Sequence, residues 1–272
     1  MAHEGTEDEK QSDLQAQDLF KSMSSPYRRQ LFVVNSLTNA NIPIKHLHIH
    51  GLYLLPMMAN FFASSMSFMA FLSELQTLSI HVCSLGLGLA WTDESYVTFW
   101  KGIGRLLPAA TNVTSLVLSS DRLSPGPPCE AWDAMNLPSL TSLKLESFVF
   151  SDREAFGGVN TGLQGFLQRH LQASSRLREV VLHRCCSTYG SDLVWAMVYD
   201  RIADLVSTSF HSALKSLEHT PYSWILEGEN YFLGEHLGIN LHDHAHRRES
   251  QAILDLEAYN RLQAILGTSN DV

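Results

Sequence analysis

The 272-residue sequence predicts an α/β solenoid, with parallel strands on one concave face, helices on the other and a helical cap at the C-terminal end. Three observations carry that expectation. A short phrase of the form apolar-x-x-apolar-x-apolar recurs along the chain. Within the phrases apolar and polar residues alternate with a period of two, the mark of a strand with one buried and one wet face. Between phrases the apolar period lengthens to that of a helix.

The phrase begins with Ile44, Leu47, Ile49 and returns as Leu75, Leu78, Ile80. Val113, Leu116, Leu118 follow, then Leu140, Leu143, Leu145 and Leu177, Val180, Leu182. A weaker sixth copy has Leu214 and Leu217, with His219 in place of the last apolar residue. The central positions step by 31, 38, 27, 37 and 37 residues. Regular leucine-rich repeats step by roughly 20–29, so the array is an irregular, leucine-rich-repeat-like one. The alternation puts Leu47 and Ile49 in a core and His46, His48 and His50 outside. It divides Leu78 and Ile80 from Thr77, Ser79 and His81, and Leu143 and Leu145 from Ser142, Lys144 and Glu146. A parallel sheet covered on both faces reads instead as continuous apolar runs.

The intervals supply helices. Met57 to Leu72 is the first. Asp93 to Leu107 is the second, with Thr92 or Asp93 as N-cap and Tyr96, Phe99, Trp100, Ile103 and Leu106 on one face. After Leu118, the run Pro125, Gly126, Pro127, Pro128 predicts an exposed loop, leaving room for a short helix over Ala131 to Met135. Thr161 to Leu171 and Asp192 to Val206 complete the set. Arg247 to Leu266 predicts a terminal helix whose apolar face is Ile253, Leu254, Leu256, Leu262, Ile265 and Leu266, with Gly267 as its stop.

The domain plan is a disordered acidic tail over 1–25, a solenoid over 26–221 and a capping region over 222–272. The tail holds six carboxylates against Lys10 and Lys21 and few apolar residues. Capping is expected because a terminal repeat otherwise exposes its apolar side.

Charge and cysteine usage exclude several functions. A net charge of −9 opposes broad contact with a phosphate backbone, so no nucleic-acid partner is expected. Cys83, Cys129, Cys185 and Cys186 show no CxxC spacing, which argues against a disulfide framework or zinc site. No basic start precedes an apolar run at the N-terminus, so a cytoplasmic or nuclear protein is expected. The uncharged stretch after His50 is long enough to span a bilayer, but Pro56, Asn60, Ser64, Ser65 and Ser67 favour a buried helix, and no membrane partner is expected.

The phrases IKHLHIHGL, SLTSLKLESFVF and SSRLREVVLHRC, with the helix GLQGFLQRHLQ and the closing DLEAYNRLQAIL, resemble the irregular repeats of fungal F-box and leucine-rich-repeat-like proteins over roughly residues 30 to 266. The resemblance does not reach the F-box: nothing before Ile44 carries its Leu-Pro opening. It therefore implies the substrate-recognition half of a ubiquitin-ligase protein, without catalysis or cofactor, and does not extend to docking on the ligase adaptor.

The candidate site is the open sheet face, lined by His46, His48, Thr77, Ser79, Ser115, Val117, Lys144, Glu146, Glu179 and His183 and expected to hold a protein partner. The histidines His46, His48, His50 and His81 of this face, with His50 and His81 expected as neighbours on adjacent strands, form a candidate pH-sensitive binding patch. The alternative from another class is a metal-dependent enzyme using His242, His244 and His246 with His236 nearby. On a strand the three histidines would share a face; on a helix only His242 and His246 would. No zincin motif, nucleophile elbow, phosphate loop or dinucleotide fingerprint occurs, and the primary expectation is a non-enzyme.

Overall fold

The computed structural model describes residues 32–33, 36–38, 42–53, 66–83, 94–150, 162–172, 176–187, 195–208, 214–221 and 245–268. The chain divides into two compact units, Met1–Ile42 and Pro43–Val272, and every element below lies in the second. The expected acidic tail, residues 1–25, lies outside the described residues, as do 57–65 of the first expected helix and 222–244 of the expected capping region.

Six strands form one open, parallel sheet in chain order. They are β1 (His46–Tyr53), β2 (Thr77–Cys83), β3 (Ser115–Pro125), β4 (Ser142–Phe150), β5 (Glu179–Ser187) and β6 (Ser216–Pro221). The helices are α1 (Met66–Glu74), α2 (Glu94–Leu106), α3 (Cys129–Ala134), α4 (Gly162–Leu171), α5 (Trp195–Thr208) and α6 (Ala245–Thr268), and a 3-10 turn, Leu107–Ala109, extends α2. This is the α/β class and the parallel order that the repeats predict.

The register follows the phrases. Leu47 pairs with Leu78, Leu78 with Leu116, Leu116 with Leu143, Leu143 with Val180 and Val180 with Leu217. All six are buried. Ile49, Ile80, Leu118, Leu145, Leu182 and His219 form a second row in the same register. The phrase's first position, one turn of chain earlier, is buried at Leu75, Val113, Leu140, Leu177 and Leu214. Just before the strands the ladder already runs. Gln76 N–H donates to Lys45 O at 2.7 Å, Thr114 to Gln76 at 2.8 Å, Thr141 to Thr114 at 2.8 Å, Arg178 to Thr141 at 2.8 Å and Lys215 to Arg178 at 2.7 Å. The Thr141 hydroxyl also donates to Thr114 O at 2.8 Å, and Thr114 to Gln76 O at 3.1 Å, which suits threonine to this rim.

The helices contact one another in chain order, α2 on α3, α3 on α4, α4 on α5 and α5 on α6, while α1 meets the 3-10 turn beside α2. Helices that alternated between two faces would not neighbour each other in this sequence. Gly104 sets the closeness of α2 and α3: a Cβ there would sit 2.8 Å from Ala131 O. An aromatic chain crosses the interior. Phe99 meets Trp100 at 5.3 Å, Trp100 meets Phe148 at 5.9 Å, Phe148 meets Phe150 at 6.4 Å, and Phe150 meets Trp195 at 6.1 Å.

Three of the six strands, β1, β4 and β5, carry a left-handed residue at the same level. Gly51, Ser147 and Arg184 have φ of 71°, 63° and 52°, and each stands two residues after the aligned Ile49, Leu145 and Leu182. From that level on in β4 alternation stops: Ser147, Phe148, Val149 and Phe150 are all buried. A left-handed residue re-aims the following side chains in the manner of a bulge, and here it turns Phe148 and Phe150 into the aromatic chain.

Two expectations are corrected. The proline segment is not an exposed loop. Pro125 ends β3 paired with Val149, Gly126 N–H donates to Val149 O at 2.8 Å, and Gly126, Pro127 and Pro128 are buried. Glycine is required there because a Cβ would lie 2.5 Å from the Phe150 ring. The inward face of α6 is Ala258, Leu262 and Leu266, whereas Ile253, Leu254 and Leu256 are exposed, and the helix continues through Gly267 to Thr268. Polar anchors decide that rotation. Asp255 Oδ1 accepts from Ala196 N–H at 2.7 Å, and Leu217 O accepts from Gln263 Nε2 at 2.6 Å and Tyr259 O–H at 3.3 Å.

Because the leucine rows hold the sheet together, Leu143→Ala is expected to cost about 3 kcal/mol in urea denaturation, while Lys144→Ala, on the adjacent wet position, costs less than about 1 kcal/mol.

Candidate functional site

Each strand presents its other face through the residues between the buried rungs, and the register assembles them into rows. The first row is His46, Thr77, Ser115, Ser142, Glu179 and Ser216. The second is His48, Ser79, Val117, Lys144, Val181 and Glu218. The third runs His81, Ser119, Glu146, His183 and Thr220, and the His50 ring lies 6.3 Å from that of His81. All ten residues expected on the open face fall in these rows. Ser142, Ser216, Val181, Glu218, Ser119 and Thr220 join them. The strand-to-strand spacing of the phrases could have named these too.

Most side chains of these rows keep partial exposure. Hydrogen bonds run along the rows, from strand to strand. His46 Nδ1 and Thr77 Oγ1 are 3.0 Å apart, His81 Nδ1 and Ser119 Oγ 2.9 Å, and Ser142 Oγ donates to Glu179 Oε2 at 2.7 Å. On β4 Lys144 Nζ lies 2.9 Å from Glu146 Oε2, and His183 Nε2 of β5 stands 3.9 Å from the other Glu146 oxygen. Burial works to raise the Glu146 pKa, but the Lys144 hydrogen bond and charge, with His183 and Arg184, outweigh it and hold the carboxyl below its ordinary range. Half-exposed pairs of this kind contribute about 0–1 kcal/mol. Their effect is to fix the orientation of the side chains.

The histidines of the face sit on β1, β2 and β5, and its glutamates on β4, β5 and β6. The metal candidates do not enter it. His236, His242 and His244 lie outside the described residues, and His246 is in α6 with its side chain also outside them. Among the described residues no group of three or more His, Cys, Asp or Glu could hold a metal ion, and none of their helices is long and apolar enough to cross a membrane.

Behind the face, two histidines are built into the interior. His170 Nδ1–H donates to Phe166 O at 2.8 Å, its Nε2 accepts from Leu137 N–H at 3.3 Å, and its ring stacks on Phe166 at 4.1 Å. His219 replaces the last apolar rung. Its Nε2–H donates to Cys185 O at 3.1 Å, its Nδ1 accepts from the Tyr199 hydroxyl, and its ring meets Trp195 edge-on at 4.5 Å. In both, one nitrogen faces a donor, so the neutral ring fits the site. Burial lowers the His170 pKa, aided by Arg169, and burial pushes His219 down to about 4. Burial, with Asp255, Tyr259 and Cys185, raises the Tyr199 phenol and keeps it a donor.

Comparison with protein-family models, with curated proteins and with solved structures finds no match.

Both interior histidines titrate below 6.5, the value of an unperturbed ring. Between the folded and unfolded values the unfolded chain binds protons that the folded chain refuses. Their contribution is therefore complete above pH 6.5 and is lost as the pH falls below it, for His219 toward 4. The loss at His219 is on the order of 3 kcal/mol. Asp255, raised by burial, opposes this only near the ordinary carboxylate range. The urea midpoint should fall between pH 7.5 and 4.5, and the Tyr199→Phe, His219→Leu double variant should lose most of that slope; a flat profile in the native chain would contradict the assignment.

Proposed function

We propose that this chain is a non-catalytic interaction scaffold, an irregular leucine-rich-repeat-like solenoid whose uncovered sheet face receives a polypeptide partner. The observation that carries the reading is the set of in-register polar rows lying opposite the buried leucine rows. Helices stacked in chain order support it as well, since one-sided helices leave the second sheet face free. The row hydrogen bonds hold side chains in place before binding, which lowers the ordering cost of association. Half-exposed polar groups spread over several strands suit many modest contacts with a polar partner surface.

The resemblance of the repeat phrases to fungal F-box and leucine-rich-repeat-like proteins favours a more specific role, recognition of protein substrates for a ubiquitin ligase. The adaptor contact of such a ligase has no counterpart before Ile44 and is not part of the proposal.

Affinity capture with the native chain and with a Lys144→Glu, Glu146→Lys variant tests the reading. The variant keeps the net charge and is expected to keep its melting temperature, but to lose by at least about tenfold the purified partner that the native chain retains. Equal retention by both forms would remove β4 from the binding site and count against the face.

A further inference from the structure

We propose that α6 carries a second, self-complementary interface, through which two copies of this chain pair antiparallel about a two-fold axis at Asn260. The proposal goes beyond the sheet-face reading and does not rest on it.

Its basis is the stripe that α6 turns away from the fold. Ala258, Leu262 and Leu266 are buried. Ile253, Leu256, Asn260, Ala264 and Gly267, spaced by three and four residues, share the opposite side of the helix. All five are exposed. Ile253 is 58% exposed and Leu256 60%, values far from those of the core. Leu254, next to Ile253 in the chain, is 53% exposed as well. Contiguous apolar exposure of this kind marks an interaction surface.

The order of side chains along the stripe identifies the occupant. Large residues stand at the N-terminal end, small ones at the C-terminal end, and an amide stands between. Gly267 and Ile253 are both seven residues from Asn260, and Ala264 and Leu256 are both four. An antiparallel copy centred on Asn260 therefore sets Ile253 against Gly267 and Leu256 against Ala264, in both directions at once. The receiving space is free: a Cβ built at Gly267 meets nothing within 4 Å. The two Asn260 amides face each other, and each can donate and accept in one reciprocal pair. A parallel pair would crowd Ile253 on Ile253 and leave Gly267 opposite Gly267 across a gap. An isologous two-fold contact needs this reciprocity, and a polar residue at such a position fixes register. One helix stripe is smaller than the roughly 800 Å² per partner of a standard interface, so the pairing is reversible.

Sedimentation equilibrium of the full chain over a concentration series tests this. A monomer–dimer equilibrium is expected. Leu256→Lys, counted twice by the symmetry, should weaken the dimer about a hundredfold, with circular dichroism and melting of the monomer unchanged. Mild oxidation should give a disulfide-linked dimer of Asn260→Cys above the background of the native cysteines. Leu256→Cys alone should stay at background, while a mixture of Leu256→Cys and Ala264→Cys cross-links. A chain that is monomeric at every concentration, a dimer indifferent to Leu256→Lys, or a Leu256→Cys protein that cross-links to itself as well as Asn260→Cys does, would overturn the proposal. The Lys144→Glu, Glu146→Lys variant should dimerise like the native chain, which separates this interface from the sheet face.

Discussion

The structure depends on one constraint, that the central leucine of each strand lies beside its counterpart in the next. Connection lengths vary from one repeat to the next, yet Leu47, Leu78, Leu116, Leu143, Val180 and Leu217 remain in line. Loop length changes chain entropy only slowly. A one-residue slip in register would exchange the buried and wet faces of a whole strand. Connections are consequently free to drift while the strand phrase is not. The same constraint makes the polar rows: residues that flank a fixed rung are themselves fixed, and the hydrogen bonds between His46 and Thr77, or Ser142 and Glu179, follow from the register.

The end of the array shows how the constraint is relaxed. At the sixth strand the second core row reaches His219, a polar ring in an apolar place. It is tolerated because Tyr199 and the Cys185 carbonyl satisfy both nitrogens. The carbonyl of Leu217 is taken by Tyr259 and Gln263 of α6. Arg261 meets Asp200 at 2.9 Å across the same helix pair. Helix α6 is thus attached by polar anchors as much as by its buried alanine and leucines, at a strand whose own core has become partly polar.

The sheet was legible in the sequence because strand polarity has a period of two and the leucine phrase keeps it. That pattern placed His46, Lys144 and Glu179 on one face without coordinates. Val181 was not singled out, since only register, and no property of the residue itself, puts it in the rows. Composition misled in two places. The run Pro125 to Pro128 has the residues of a surface loop, but Gly126 lacks the side chain that would exclude the Phe150 ring, and Gly126, Pro127 and Pro128 are buried. On α6, Ile253 and Leu256 are more apolar than Ala258, yet Asp255, Tyr259 and Gln263 rotate the helix so that the alanine faces inward. Hydropathy ranks residues one at a time, whereas the anchors that orient this helix lie on α5 and β6.

The most direct measurement of the central constraint is the pattern of long-range backbone nuclear Overhauser effects in the isotope-labelled chain. The account requires an unbroken series linking Leu47 to Leu78, Leu78 to Leu116, Leu116 to Leu143, Leu143 to Val180 and Val180 to Leu217. Effects that instead align Leu116 with Lys144, a slip of one residue, would place the wet rows in the core and contradict it.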